Sequence, residues 1–332
     1  MNKKENLKTI TTNNLSITPK PYVLIIGETP SKGARSPELW NKVYKNLNKN
    51  IRMHPADVKP KLLKNLINFL SKDKFFLGSA VTTPFKEEIM KFLDKYDLNV
   101  KNIGSINTIR KIDNKLVGFN TDYFGALKSL DKYKDKKRIL IFGCGGAGKA
   151  TIAACFKKFK KSFFYLLNRD KIKLKKFVKK VKIKNFKIIS NKKLLSLKNI
   201  DLVLNTTSIG FNSWICKGSK YYNLMYFTPF QNLQNVKGLK KINGQKFASI
   251  NRKLINQDKK NCSKFFKLNK KCDIFDIIYN PNKTKLLKIA KKNGNRIQNG
   301  LEMNFYQAVK GFSLVNKINS DYKIRKIMSK NG

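Results

Sequence analysis

One stretch constrains this chain more than any other: an apolar run that passes directly into a glycine-rich loop and then into a helix. Ile139-Leu140-Ile141-Phe142 has the unbroken apolar character of a strand buried on both faces. It continues as Gly143-Cys144-Gly145-Gly146-Ala147-Gly148 and then as an apolar helical segment. A GxGxxG pattern alone is weak, but after a strand and before a helix it predicts a dinucleotide-binding unit. Gly143 permits the tight turn, Gly145 lets a pyrophosphate approach the backbone, and Gly148 allows close helix–strand packing. Gly146 and Ala147 open the helix, where backbone N–H groups and the helix dipole favour an anion.

The second strand of such a unit, Ser162–Leu167, ends at Asn168-Arg169-Asp170-Lys171, about 20 residues past the loop. An acidic residue at this tip would hold the ribose 2′-hydroxyl of NAD. Arg169 instead offers a planar cation suited to a 2′-phosphate. Asn168 and Arg169 therefore point to NADP, and the neighbouring Asp170 leaves NAD as the alternative.

The remaining periodicity describes an α/β protein of two domains. Tyr22–Ile26 reads as a buried strand ended by Gly27, Ser36-Pro37 opens a helix, Leu62–Leu70 has helical spacing, and Leu77–Val81 is a further strand. Strands alternating with helices predict parallel pairing. The charged stretch before Ile139 marks a junction. The expected organisation is an unstructured extension over 1–20 and an N-terminal α/β substrate or catalytic domain over 21–130, rejoined by a C-terminal helix at about 301–330. A Rossmann domain spans 131–300 and contains a Lys-rich insertion at about 212–275.

Charge limits the function classes. Lys and Arg number 72 against 20 acids, a net charge of +52, and a field of that size attracts polyanions. Dedicated nucleic-acid binders concentrate charge in a stripe or tail. Here Lys is spread through every segment, together with Asn and Ile, in the manner of an A/T-rich codon bias. No stretch approaches the ~18 apolar residues of a membrane span, and the start has no apolar secretory core. The five cysteines show no CxxC spacing, which predicts neither a disulfide framework nor a metal site and fits a reducing cytoplasm. The lone His54 sits in no catalytic constellation.

With these residues in view, the chain resembles shikimate dehydrogenases from about Tyr22 to Phe312. The likeness rests on separated motifs in the family's order: Gly27 through Ser36-Pro37 and Asn41, then Gly78–Glu87, Gly104–Thr108 and Gly118–Asp122. The glycine loop with Asn168-Arg169, the run Asn205–Gly210, Asp276–Pro281, Gly300–Met303 and Gln307-Ala308 complete it. The resemblance implies Lys86 and Asp122 as the catalytic pair, and Ser36, Thr82, Asn107, Tyr279 and Gln307 as substrate contacts. It places Thr207 and Gly300 beside the cofactor. It also implies a small-molecule, shikimate-like substrate and a monomer or homodimer.

The departures cluster around the substrate. Ala34 stands where the family has the first of two serines, Ala80 where it has an asparagine, and Trp40 where it has a histidine. Unpaired polar partners in a site that reads hydroxyls are costly. The leading expectation is NADP-dependent reduction of 3-dehydroshikimate to shikimate. A paralogue acting on quinate or another small cyclic hydroxy-acid is the alternative. A polyanion- or RNA-binding protein on a degenerate scaffold is a third reading, opposed by the intact Lys86, Asp122 and glycine loop.

Overall fold

A computed structural model describes residues 6–212, 214–217, 219–239 and 244–329. The chain divides into two compact units. One comprises Met1–Lys128, Lys149–Ala153 and Asn304–Gly332, and the other Ser129–Gly148 and Ala154–Met303.

The first unit is built on a six-stranded sheet. Its strands are β1 (Tyr22–Gly27), β2 (Arg52–Asp57), β3 (Phe76–Val81), β4 (Lys95–Tyr96), β5 (Thr108–Ile112) and β6 (Lys115–Phe119), in the order β2-β1-β3-β5-β6-β4. Pairing of β1 with β2 and β3 is parallel, as alternation of strands and helices predicts. The purely parallel expectation fails beyond β3, because β5 runs antiparallel to both β3 and β6. The cause is local: Asp113 and Asn114, both at positive φ, join β5 to β6. Two consecutive left-handed residues make the tight turn whose twist suits a hairpin.

Helices Ser36–Asn46, Leu301–Val315 and Asp321–Ser329 supply one face, where Leu39, Trp40, Val43, Phe312, Ile324 and Met328 are buried with Val23 and Ile25. Helix Leu63–Lys72 supplies the other, burying Leu63, Leu66, Ile67 and Leu70 with Leu24 and Ile26.

The described part of the expected unstructured extension is ordered instead. Asn6 and Thr9 form a reciprocal capping box on helix Leu7–Ile10, and Leu7, Ile10 and Leu15 enter the core. Asn13 donates to Pro55 O at 2.9 Å and accepts from the Asp57 N–H at 3.1 Å, closing the open edge of β2. Residues 1–5 of that stretch lie outside the described residues.

The second unit carries six parallel strands: β7 (Arg138–Phe142), β8 (Phe163–Leu167), β9 (Phe186–Ile188), β10 (Leu202–Asn205), and then, past a β11–β12 hairpin (Trp214–Lys217 and Lys220–Asn223), β13 (Asp273–Asp276) and β14 (Ile297–Gln298). The order β14-β13-β10-β7-β8-β9 reverses direction at β7. Open sheets of this kind bind ligands outside the strand ends at that switch point.

Much of the expected insertion belongs to this layer. Helix Arg252–Leu268 buries Cys262, Phe265 and Phe266 against Leu140, Phe142 and Ile274, and so connects β10 to β13 as an ordinary crossover. The extra material is the hairpin and helix Gly244–Ile250, which enclose a small aromatic cluster of Phe227, Phe247 and Trp214. Residues 213, 218 and 240–243 of that stretch lie outside the described residues.

Candidate functional site

In the first unit, the loop leaving β3 is pinned twice beside β5. The Val81 N–H donates to Asn107 O at 2.8 Å, and the Ile106 N–H donates to Lys86 O at 2.6 Å. Lys86 is thereby held next to Asn107. Asn120 prepares the facing element: its Oδ1 accepts from the Tyr123 N–H at 3.0 Å, an N-cap for helix Thr121–Leu130. Its amide donates to Ser105 O at 2.8 Å. Asp122 falls in the first turn, where a carboxylate complements the helix dipole.

The side chains converge. Lys86 Nζ donates to Asp122 Oδ2 at 2.5 Å. Asn107 Nδ2 faces Thr121 Oγ1 at 2.9 Å, Asp122 Oδ1 at 3.0 Å and Gln307 Oε1 at 3.2 Å. An amide has two N–H donors for these three acceptors, so the Gln307 contact is the loosest. Asn107 Oδ1 accepts from the Thr121 N–H at 2.6 Å, which fixes the amide's orientation. Thr121 is the residue here that sequence reasoning missed, although it sits inside the quoted Gly118–Asp122 motif.

Asp122 is buried, whereas the Lys86 side chain keeps 17% of its surface exposed. An ammonium anchored by one hydrogen to a buried carboxylate retains donors for a second oxygen. This arrangement can hold a proton at a defined point beside a polar ligand.

Ser36 is buried at the first position of its helix, and Thr82 follows β3, its N–H donating to Ile26 O at 2.8 Å. Thr82 Cγ2 fills the space a Cβ on Gly27 would need, which explains that glycine. Asn41 uses its amide to bridge to the backbone of Met53 at 2.7 and 3.1 Å. Trp40 is a core residue, stacked edge-on to Phe312. Ala34 and Ala80 pack into the same apolar cluster.

In the second unit, register sets the site. Phe142, Asn205 and Asp276 are aligned across the ends of β7, β10 and β13. Gly143 adopts φ +96°, and a Cβ there would meet Thr206 Oγ1 at 2.8 Å. Gly148 is equally constrained by Thr206 Oγ1, at 2.7 Å. Gly145 is different, since a Cβ there would meet nothing within 4 Å. The chain itself gives no packing reason for a glycine at that point, and open space over the backbone is what an approaching pyrophosphate requires. Gly146 and Ala147 begin helix Gly146–Lys158, whose first turn carries no acid.

At the tip of β8, Arg169 is exposed and Asn168 donates to Asp170 O at 2.7 Å. The Asp170 carboxylate accepts from the Lys173 N–H at 2.8 Å as the N-cap of helix Lys171–Lys180. The acid that left NAD open is thus engaged in capping. These residues fit a phosphorylated dinucleotide.

Thr207 donates through its N–H and Oγ1 to Asn205 Oδ1, at 3.0 and 2.7 Å. Tyr279 is half-buried three residues past β13. A Cβ on Gly300 would strike Ile277 O, so close backbone packing accounts for this glycine. Among the described residues no helix is long and apolar enough to cross a membrane, and no group of three or more His, Cys, Asp or Glu residues is disposed to hold a metal.

Comparison with known proteins places these features in a family. The family model described as the shikimate dehydrogenase substrate binding domain matches residues 25–109. A shikimate dehydrogenase (NADP(+)) of Pelagibacter ubique is 33% identical over 308 residues, covering 90% of this chain and 94% of its own. The enzyme of the same name from Caldicellulosiruptor bescii is 31% identical over 264 residues, 77% of this chain and 76% of its own. A shikimate dehydrogenase crystallised in complex with NADP+ superposes with a TM-score of 0.67 at 25% identity, covering 95% of this chain and 96% of that one.

Proposed function

Because the chain belongs to the shikimate dehydrogenase family, we propose that it reduces 3-dehydroshikimate to shikimate with NADPH, using Lys86 and Asp122 as its catalytic pair. The observation that carries this reading is the hydrogen-bonded chain Lys86–Asp122–Asn107–Gln307. When bound, NADPH supplies the hydride that the substrate's carbonyl carbon takes up. Lys86 delivers a proton to the carbonyl oxygen as negative charge develops there, and withdraws it in the reverse direction. Asp122 keeps the ammonium in place and accepts from a substrate hydroxyl. Asn107 and Gln307 read the neighbouring hydroxyls, and Ser36 and Thr82 complete the grip. Gly143, Gly145, Gly146, Ala147 and Gly148 would hold the pyrophosphate, Asn168 and Arg169 the 2′-phosphate, and Thr207 and Gly300 would lie beside the nicotinamide. Cys144, Cys155, Cys262 and Cys272 are buried and in no disulfide, which supports a cytoplasmic enzyme.

A second reading has its own support. Ala34 and Ala80 present methyl groups and pack into an apolar cluster, so a cyclic hydroxy-acid with differently placed hydroxyls, such as quinate, is the alternative substrate. The test is NADPH oxidation followed at saturating cofactor with 3-dehydroshikimate and 3-dehydroquinate. Faster turnover of 3-dehydroshikimate supports the first reading, faster turnover of 3-dehydroquinate the second, and no turnover of either refutes both.

A further inference from the structure

Asp276, the last residue of β13, is a buried carboxylate that the proposed chemistry does not use. It is 0% exposed. Its Oδ1 accepts from Asn205 Nδ2 at 3.0 Å and from the Ile278 N–H at 3.1 Å, and its Oδ2 accepts from Thr284 Oγ1 at 2.7 Å. Each donor belongs to a different segment. Asn205 ends β10 and, through Oδ1, receives both donors of Thr207. Ile278 lies in the loop that leads to Tyr279, which Gly300 braces by donating to Ile278 O at 3.0 Å. Thr284 caps helix Lys285–Lys292. One carboxylate therefore ties together the segments that leave β10 and β13.

The strand order says what those segments face. The glycine loop follows β7 and Arg169 follows β8, so the phosphorylated adenosine lies on the β8 side of the switch point. The other end of a dinucleotide must then extend over the ends of β10 and β13. Burying a carboxylate is costly, and an apolar residue would close the same space more cheaply if cohesion were the only need. We propose that Asp276 is a positioning residue for hydride transfer, fixing the Thr207 loop through Asn205 and the Tyr279 segment through the Ile278 N–H so that the nicotinamide is held at its reacting geometry. This rests on the NADPH-dependent reading above.

The test uses the full-length enzyme with NADPH and whichever keto acid the wild type turns over. Asp276→Ala should lower kcat by about 10²-fold, the cost of a misplacement near 1 Å. Its Kd for NADPH, read from nicotinamide fluorescence, should stay close to that of the wild type, because the adenosine and phosphate contacts are untouched. The deuterium isotope effect with 4-deuterated NADPH should rise as the chemical step becomes limiting. Asp276→Asn keeps an Oδ1 acceptor for Asn205 and Ile278 and should retain most of kcat. Asn205→Ala leaves Asp276 with its two other donors and should reproduce the loss, and it decides the matter even where Asp276→Ala fails to fold. A folded Asp276→Ala or Asn205→Ala variant with wild-type kcat and isotope effect would overturn the proposal, as would equal losses in Asp276→Ala and Asp276→Asn. A wild type that oxidises no NADPH with any cyclic keto acid removes the functional reading itself, an outcome distinct from active variants.

Discussion

Lys86 Nζ lies 2.5 Å from Asp122 Oδ2, and the other oxygen of the same carboxylate accepts from Asn107 at 3.0 Å. Asp122 is thus committed on both oxygens, and the ammonium has little freedom to wander. A proton donor so restrained is pre-oriented, which is the condition under which general acid help becomes effective.

Lys86→Ala should therefore lower kcat by ~10²–10⁴ while leaving NADPH affinity near the wild-type value. The Lys86 side chain is partly exposed and holds no core, so circular dichroism should report an intact fold. Retention of more than about a tenth of wild-type kcat would contradict the assigned role, given that range.

Cofactor preference turns on the tip of β8. Asp170 is occupied as an N-cap, and Arg169 is the cation proposed to meet a 2′-phosphate. Arg169→Ala should raise KM for NADPH by about tenfold, the low end for a charge-assisted contact at an exposed position. KM for NADH should hardly move. Equal damage to both cofactors would mark Arg169 as structural.

The parts of the fold that sequence made legible share a physical cause. β7, β10 and the loop after β7 are central, parallel and apolar on both faces, so their residues show the whole environment. The β5–β6 hairpin was hidden because Arg110, Lys111 and Lys115 interrupt its apolar alternation and its turn carries no glycine. The N-terminal helix was hidden by length: four residues show no periodicity, and only the Asn6-to-Thr9 spacing signals a cap. The Lys86–Asp122–Asn107 cluster was visible through motifs alone, since no spacing rule brings residues 86, 107 and 122 together. Asp276 stood inside a quoted motif, yet its partners Asn205 and Thr284 are 71 and 8 residues away. Scarcity was the signal available, since an acid among only 20 demands a reason.

Burial of carboxylates also predicts a pH dependence of stability. Desolvation pushes Asp276 up to about 7, against hydrogen bonds from Thr284, Ile278 and Asn205 that lower it. Asp258 is pushed up to about 6 by burial, opposed by Thr228 and Lys285. Between about pH 4 and pH 7 these two carboxyls keep protons in the folded chain that they have released in the unfolded one, so their contribution to stability falls as pH rises through this window and levels off above it, partly offset by His54, whose pKa burial lowers. Burial also raises Asp273, but hydrogen bonds from Arg296 and Lys136 outweigh it and leave that group below the usual carboxylate value. Its contribution has the opposite sign and is lost only as pH falls below that window. Urea midpoints should accordingly be lower at pH 8 than at pH 5, with a smaller drop in Asp276→Asn. A midpoint that climbs between those pH values would refute the assignment.

The proposed substrate site poses the sharpest question, because its intact and altered residues point in different directions. Lys86, Asp122, Asn107 and Gln307 form one hydrogen-bonded cluster able to grip a hydroxylated ring. Ala34 and Ala80 lie in an apolar cluster with Leu39, Trp40 and Phe312, where the family carries polar anchors. A lost contact to a neutral group typically costs ~0.5–1.5 kcal/mol and one to a charged group ~1.5–3 kcal/mol. The carboxylate side near Ala34 and Ser36 should thus suffer more than the hydroxyl side near Ala80. Arg35, whose guanidinium donates to Asn304 Oδ1 at 3.4 Å, is placed beside Ala34 and can pair a carboxylate bidentately. Shikimate should then be oxidised with a raised KM, and Ala34→Ser combined with Ala80→Asn should recover part of kcat/KM. Comparing kcat/KM for shikimate and quinate in the wild type and the double variant decides it. A double variant that loses on quinate without gaining on shikimate would show that the two alanines adapt the pocket to a different ring.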